Sequence, residues 1–191
     1  LENTAHDLEV ENAFAPLSRL FVYYNERVVE GTVKQDAGAQ LRDGIKVLAK
    51  TGACKEDLFP YNIHAFTKHP APDAYTDATH RKITAYAAVE QSLSGLKQAL
   101  ASGYPVAFGF EVFTSFETEA VAETGIQLLP QPHEHHMGGH AVLMVGYDDA
   151  DQTFLVRNSW SAEWGISGYF KMPYAYAVDS KLASDFWVIN K

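Results

Sequence analysis

Cysteine is nearly absent from this 191-residue chain, which has one, Cys54. A single thiol excludes an intrachain disulfide and any metal cluster built on cysteines; it fits a reducing compartment, or a secreted protein that needs no staples. Positive charge is scarce too. Fifteen Lys and Arg stand against 24 Asp and Glu, a formal net charge of −9, so neither a nucleic-acid groove nor an anchor on an anionic membrane is expected. Long hydrophobic runs are missing as well. The longest candidate, around Ala141 to Val145, has the length of a strand, far from the ~20 residues of a membrane span. Residues 1–11 run into helical pattern with no starting Met, cap or signal peptide, so the chain reads as a fragment, a processed product or a sequence whose upstream stretch is left out. Localisation stays unknown between cytoplasm and secretion. What is present is core material: 47% hydrophobic residues at this length bury roughly two-thirds of the unfolded surface, as in a soluble globular protein.

Two compositions follow one another. From residue 1 to about 75 the pattern is helical: Leu17, Leu20, Phe21 and Tyr24 share a face with Ser18 near the start, and Leu41, Ile45 and Leu48 repeat behind Asp36 as N-cap, with Gly52 as the stop. A loop rich in Pro and aromatics, Phe59 to Pro72, is excluded from regular structure by Pro60, Pro70 and Pro72. The boundary falls near there, giving a helical domain 1–75 and a β-rich domain 76–191. After one helix, Leu93 to Ser102 closed by Gly103, the rest reads as strand. Val106, Phe108, Phe110 and Val112 alternate; Ala141 to Tyr147 and Phe154 to Arg157 flank the turn Asp148 to Gln152 as a hairpin; Tyr169 to Met172 and Phe186 to Ile189 add two strands. The class is α+β, an antiparallel sheet or partly closed barrel packed on helices.

Chemistry concentrates in the second half. Gly138-Gly139-His140 precedes the apolar strand, which puts the imidazole at a strand mouth where glycines let another backbone approach. Counting back from the hairpin turn brings Asn158 near His140. An amide oxygen on one ring nitrogen fixes the tautomer and leaves the other nitrogen for a nucleophile, with Trp160 covering the bond. A lone His at a strand start is more often a satisfied surface or core residue, and spacing alone does not decide between the two.

The run Gly138 to Tyr147, then Arg157-Asn158-Ser159-Trp160, Glu163-Trp164-Gly165 and Gly168-Tyr169-Phe170, resembles the His and Asn blocks of the papain family of cysteine peptidases. Leu17 to Asn25 resembles the segment after the family's nucleophile helix, and Gly52-Ala53-Cys54 to Pro60-Tyr61 its aromatic-proline loop; the wording is nearest to bacterial members without disulfides. The resemblance implies a two-lobed papain-like fold with the active site between a helical and a β lobe, and hydrolysis of peptide bonds through Cys, His and Asn, with no cofactor. His140 is then general base and acid, and Asn158 its orienter, supported by Trp160 and Gly139. Gly139 and Ala141 flank a substrate pocket with Phe110 and Val112 on one wall, and Gly38 falls near glycines that pair with an extended substrate. For Phe110 and Val112 ordinary sheet core is an equal reading. Ser161 stands where the family usually has Gly.

The family's nucleophilic Cys, and the Gln ahead of it, belong at the start of a helix preceding the Leu17 segment. Thr4 to Glu11 would be later turns of that helix, so the Cys is expected a few residues before Leu1, where a helix N-terminus depresses a thiol pKa; a propeptide or N-terminal segment would carry it, and the chain as given has the base without the nucleophile. Cys54 follows a helix end, where the dipole disfavours a thiolate, and reads as a partly buried apolar residue. Two other classes stay open: an inactive papain-like protein that binds extended peptides, and a metal-dependent protein using His133, Glu134, His135 and His136, although a proline-flanked polar loop is usually just solvated. Asp7, Glu9 and Glu11 read as an exposed acidic helix face.

Overall fold

The computed structural model describes residues 16–190; the helical turns expected over Thr4 to Glu11, with Asp7, Glu9 and Glu11, lie outside the described residues. Of these residues, 16–86 with 189–190 form one compact unit and Ala87–Val188 the other, the chain passing from one to the other within the strand Ala85–Ala88.

The first unit is helical. Ser18 caps α1 (Arg19–Glu30): its Oγ accepts from Phe21 N at 3.0 Å and donates to Phe59 O at 2.6 Å, tying the helix start to the loop 53–59. Gly31 ends α1 at φ 74, the left-handed cap that glycine tolerates. The next helix, α2 (Leu41–Lys50), starts later than the spacing predicts. Its cap is Gln40, while Asp36 accepts a hydrogen bond from Tyr23 and so serves the preceding loop. Gly44 leaves room for the Glu26 side chain of α1, since a Cβ there would fall 2.1 Å from Glu26 Oε1. Pro72 does not break structure. It opens α3 (Pro72–Ala78) at the first turn, where its missing N–H has no helical partner to lose, and Ile63–Ala65 form a 3-10 turn inside the loop expected to be irregular. Leu20, Phe21, Cys54, Phe59, Ala74 and Ala78 make the core of this unit.

The second unit is built on the sheet. β1 (Ala85–Ala88), α4 (Leu93–Ala101), β2 (Val106–Phe113), α5 (Glu119–Thr124), β3 (His136–Asp148), β4 (Thr153–Arg157), β5 (Tyr169–Pro173), α6 (Tyr174–Val178) and β6 (Ala183–Asn190) follow in chain order. Six strands run β1-β6-β2-β3-β4-β5, with the β6-β2, β2-β3, β3-β4 and β4-β5 pairs antiparallel. Burial on β2 alternates strictly, and Val106, Phe108, Phe110 and Val112 join Val142, Met144, Phe154, Val156 and Phe170 in one core, as period-2 patterning requires. The hairpin turns where the acidic stretch places it, with Asp148 opposite Thr153.

Three features depart from the sequence reading. β3 begins at His136, five residues before the apolar run, so His140 lies inside a strand and not at its mouth. Two short helices, α5 and α6, lie in the connections between the expected strands, where no helix is anticipated; α5 has Thr118 as cap, accepting from Val121 N, and Gly125 as stop at φ 64. Between Val112 and Phe113 the β2-β3 register shifts so that Gly138 and His136 are the paired residues and Met137 is the bulge. No helix among the described residues is long and apolar enough to cross a membrane.

Candidate active site

β3 carries His140 and the end of β4 delivers Asn158. Leu143 pairs with Arg157, so Asn158 emerges from the ladder one residue beyond β4, close to His140. His140 Nε2 and Asn158 Oδ1 are 2.9 Å apart, and Asn158 Oδ1 also accepts from Ser159 N at 2.8 Å. The second bond settles the chemistry of the first. A backbone N–H only donates, so the amide atom facing it is the oxygen, and the ring nitrogen on that oxygen must carry the proton. His140 is thereby held as the Nε2–H tautomer when neutral, with Nδ1 as its basic nitrogen. Asn158 is buried at 6% exposure, and its Nδ2 has no hydrogen-bond partner among the described residues.

Aromatic rings fix the imidazole plane. Trp160 stacks on His140 with centroids 5.2 Å apart and 26° between planes, and Phe110, its cross-strand neighbour, meets it edge-on at 5.8 Å and 61°. Trp160 in turn packs on Phe116 and Trp164. This chain of rings ties the site to the sheet core, each aromatic pair adding about 1 kcal/mol beyond its burial. Nothing in the spacing of Phe116 and Trp164 in the sequence points to this contact, although Glu163-Trp164-Gly165 belongs to the run that resembles the family.

The other candidates separate by face. Directly opposed residues share a sheet face, so the register Gly109 with Ala141 and Glu111 with Gly139 places Gly139 and Ala141 on the side away from the core, beside Gly109 and Glu111. Phe110 and Val112, at 2% and 5% exposure, point the other way, as sheet core. The bulge at Met137 turns His136 to the outer face, where its Nε2 pairs with Glu111 Oε2 and its ring meets Phe113. Gly38 lies in the first unit at φ 74.

Two alternatives lose their basis. Cys54 is fully buried, and burial foremost, then the Asp77 charge, pushes its thiol up to about 11, the wrong direction for a nucleophile. Among the described residues no group of three His, Cys, Asp or Glu side chains could hold a metal ion. Glu134 accepts from Ser115 N and Gln131 N and so braces its own loop, while His136 sits on Glu111.

An antiparallel sheet in which an imidazole and a carboxamide are joined across one hairpin defines a class, and comparison with known proteins gives the same one. The papain family cysteine protease pattern matches residues 24–188, and the chain belongs to that family. Xylellain, a cysteine protease from Xylella fastidiosa, superposes with a TM-score of 0.87 at 44% identity, over 92% of this chain and 70% of that one. An uncharacterized peptidase C1-like protein of Acanthamoeba polyphaga mimivirus is 45% identical over 188 residues, 94% of this chain and 60% of that protein. A cathepsin B-like protein of Giardia intestinalis is 29% identical over 143 residues, 71% of this chain and 46% of its own length. The chain thus spans about half of these two curated relatives. The fold is papain-like and α+β, as the motifs imply, and the relatives come from a virus and a eukaryote as well as a bacterium.

Proposed function

We propose that this chain is part of a cysteine peptidase in which His140 is the general base and acid and Asn158 its orienter. The thiolate would come from a Cys preceding Leu1 in the complete protein. The paired acceptance by Asn158 Oδ1, from His140 at 2.9 Å and Ser159 at 2.8 Å, carries this reading. It holds the proton on Nε2 and keeps Nδ1 for the thiol. The thiol would transfer its proton to Nδ1 and attack a peptide carbonyl carbon as thiolate. The imidazolium would return that proton to the departing amine, and water, deprotonated by the same nitrogen, would then release the acyl group.

For the substrate side, the reading that Gly139 and Ala141 flank a pocket brings Gly109 and Glu111 with them, because these share the outer face. Phe110 and Val112 then contribute by supporting His140 and the sheet. Gly38 would offer backbone to an extended peptide. A second reading, an inactive peptide-binding protein, draws on Cys54 being the one thiol in the sequence and buried. The full-length gene product treated with a thiol-directed peptide electrophile separates them. Labelling that His140→Ala abolishes supports the peptidase; an upstream sequence with no Cys within ~20 residues of Leu1, beyond the reach of a short helix, would sink it.

A further inference from the structure

The loop 31–40 between α1 and α2 contains no helix or strand, yet its backbone is tied down at four points by three side chains of α1. Tyr23 Oη donates to Asp36 Oδ1 at 2.6 Å and accepts from Gly38 N at 3.1 Å. Arg27, 0% exposed, donates from Nη1 to Val33 O at 2.8 Å and to Gln35 O at 3.4 Å, and its guanidinium lies 4.0 Å from the centre of the Tyr23 ring. Glu30 Oε1 accepts from Gln40 N at 2.7 Å. Residues 23, 27 and 30 recur at helical spacing on one face, so a single helix face dictates the loop's course.

Within this strapped loop Tyr23 acts on the turn 36–38 alone. A phenol is the side chain suited to the place, since one oxygen both donates to the carboxylate and accepts from the amide. At φ 74 Gly38 needs glycine's freedom, and no atom lies within 4 Å of where a Cβ would stand, so the room beside it is open and not taken up by packing. Gly38 spends its N–H on Tyr23, which makes its carbonyl the group available to an incoming strand.

We propose that Tyr23 is a positioning residue for peptide binding: it presets Gly38 so that the Gly38 carbonyl accepts a backbone N–H of an extended substrate. This rests on the peptidase reading above. Preorganisation of this kind lowers the ordering cost of association and leaves the bond-making groups untouched.

The test uses the full-length protein and compares wild type with Tyr23→Phe, which removes the hydroxyl and keeps the ring on Arg27. KM for a peptide substrate is expected to rise about fivefold, the loss of one hydrogen bond's net contribution, while kcat and the rate of alkylation by iodoacetamide stay within about twofold. Asp36→Ala, which frees the hydroxyl to rotate, is expected to move KM in the same direction and serves if Tyr23→Phe does not fold. An active wild type whose variants keep KM, or lose kcat and alkylation together, overturns the proposal alone. A wild type with no peptidase activity overturns the reading beneath it and the proposal with it.

Discussion

The two compact units hold their key backbone and side chains by opposite means. In Ala87–Val188 a ladder of strands sets His140 and Asn158, and the two groups meet because a hairpin fixes their register. In 16–86 a loop without regular structure is held by side chains reaching from one helix to its carbonyls and amides. Strand register is set by short-range pattern, whereas such strapping depends on individual polar groups. The first arrangement should therefore tolerate changes that keep the pattern, and the second should fail at single residues.

The largest expected effect tests the sheet side. His140→Ala should reduce kcat/KM of the full-length enzyme by about 10³-fold, with a modest fall in the urea midpoint, because the ring is only partly buried but packs on Trp160 and Phe110. On the helical side Arg27→Ala should leave catalytic groups in place yet cost about 3 kcal/mol or more in urea unfolding. It removes a fully buried guanidinium and orphans the carbonyls of Val33, Gln35 and Phe66. Equal midpoints for the two variants would erase the contrast.

Asn158→Ala sharpens the sheet half. The ring would keep Trp160 and Phe110 but lose the acceptor that selects its tautomer, so activity should fall about 10²-fold, less than for loss of His140 itself. If both substitutions cost the same, Asn158 does more than orient.

These differences explain what the sequence discloses. β2, the hairpin turn and the His140–Asn158 pair can be read because period-2 burial and a short turn are local signals. The first five residues of β3 cannot, since His136 to His140 is polar and rich in glycine, and its place in the sheet comes from pairing with β2. Pro72 misleads because the same missing N–H that breaks a helix interior is harmless at its first turn. Asp36 resembles a cap by position, but its partner is Tyr23, 13 residues away. The strapping of loop 31–40 is likewise absent from the sequence pattern: nothing in the spacing of Tyr23, Arg27 and Glu30 says which backbone atoms they reach.

A pH experiment probes the helical unit further. Burial, followed by the neighbouring Glu30 charge, pushes the Glu26 carboxyl up to about 7 from 4.5. The folded chain then binds the proton more tightly than the unfolded chain, so this contribution to stability is complete below about pH 4.5 and disappears as pH rises through 7. Glu26→Gln, which stays neutral, should remove that slope and raise stability at pH 8 by about 2 kcal/mol, with almost no effect at pH 4. A stability difference that does not vary with pH would show that Glu26 ionises freely against Gly44.

The smallest expected effect lies just past the site, at Ser161, where the family usually has Gly. Ser161 holds φ 94, in the left-handed region that costs an L-residue about 1–2 kcal/mol. Its Oγ accepts from Glu163 N at 3.3 Å, a weak exposed bond that offsets little of this. Glycine removes the strain but adds unfolded-chain entropy of about 0.5–1 kcal/mol. Ser161→Gly should accordingly stabilise by less than about 1 kcal/mol, read as a small rise in urea midpoint at unchanged slope. A loss of stability would mean that the Ser161 hydroxyl holds the turn after Trp160 more firmly than its geometry indicates.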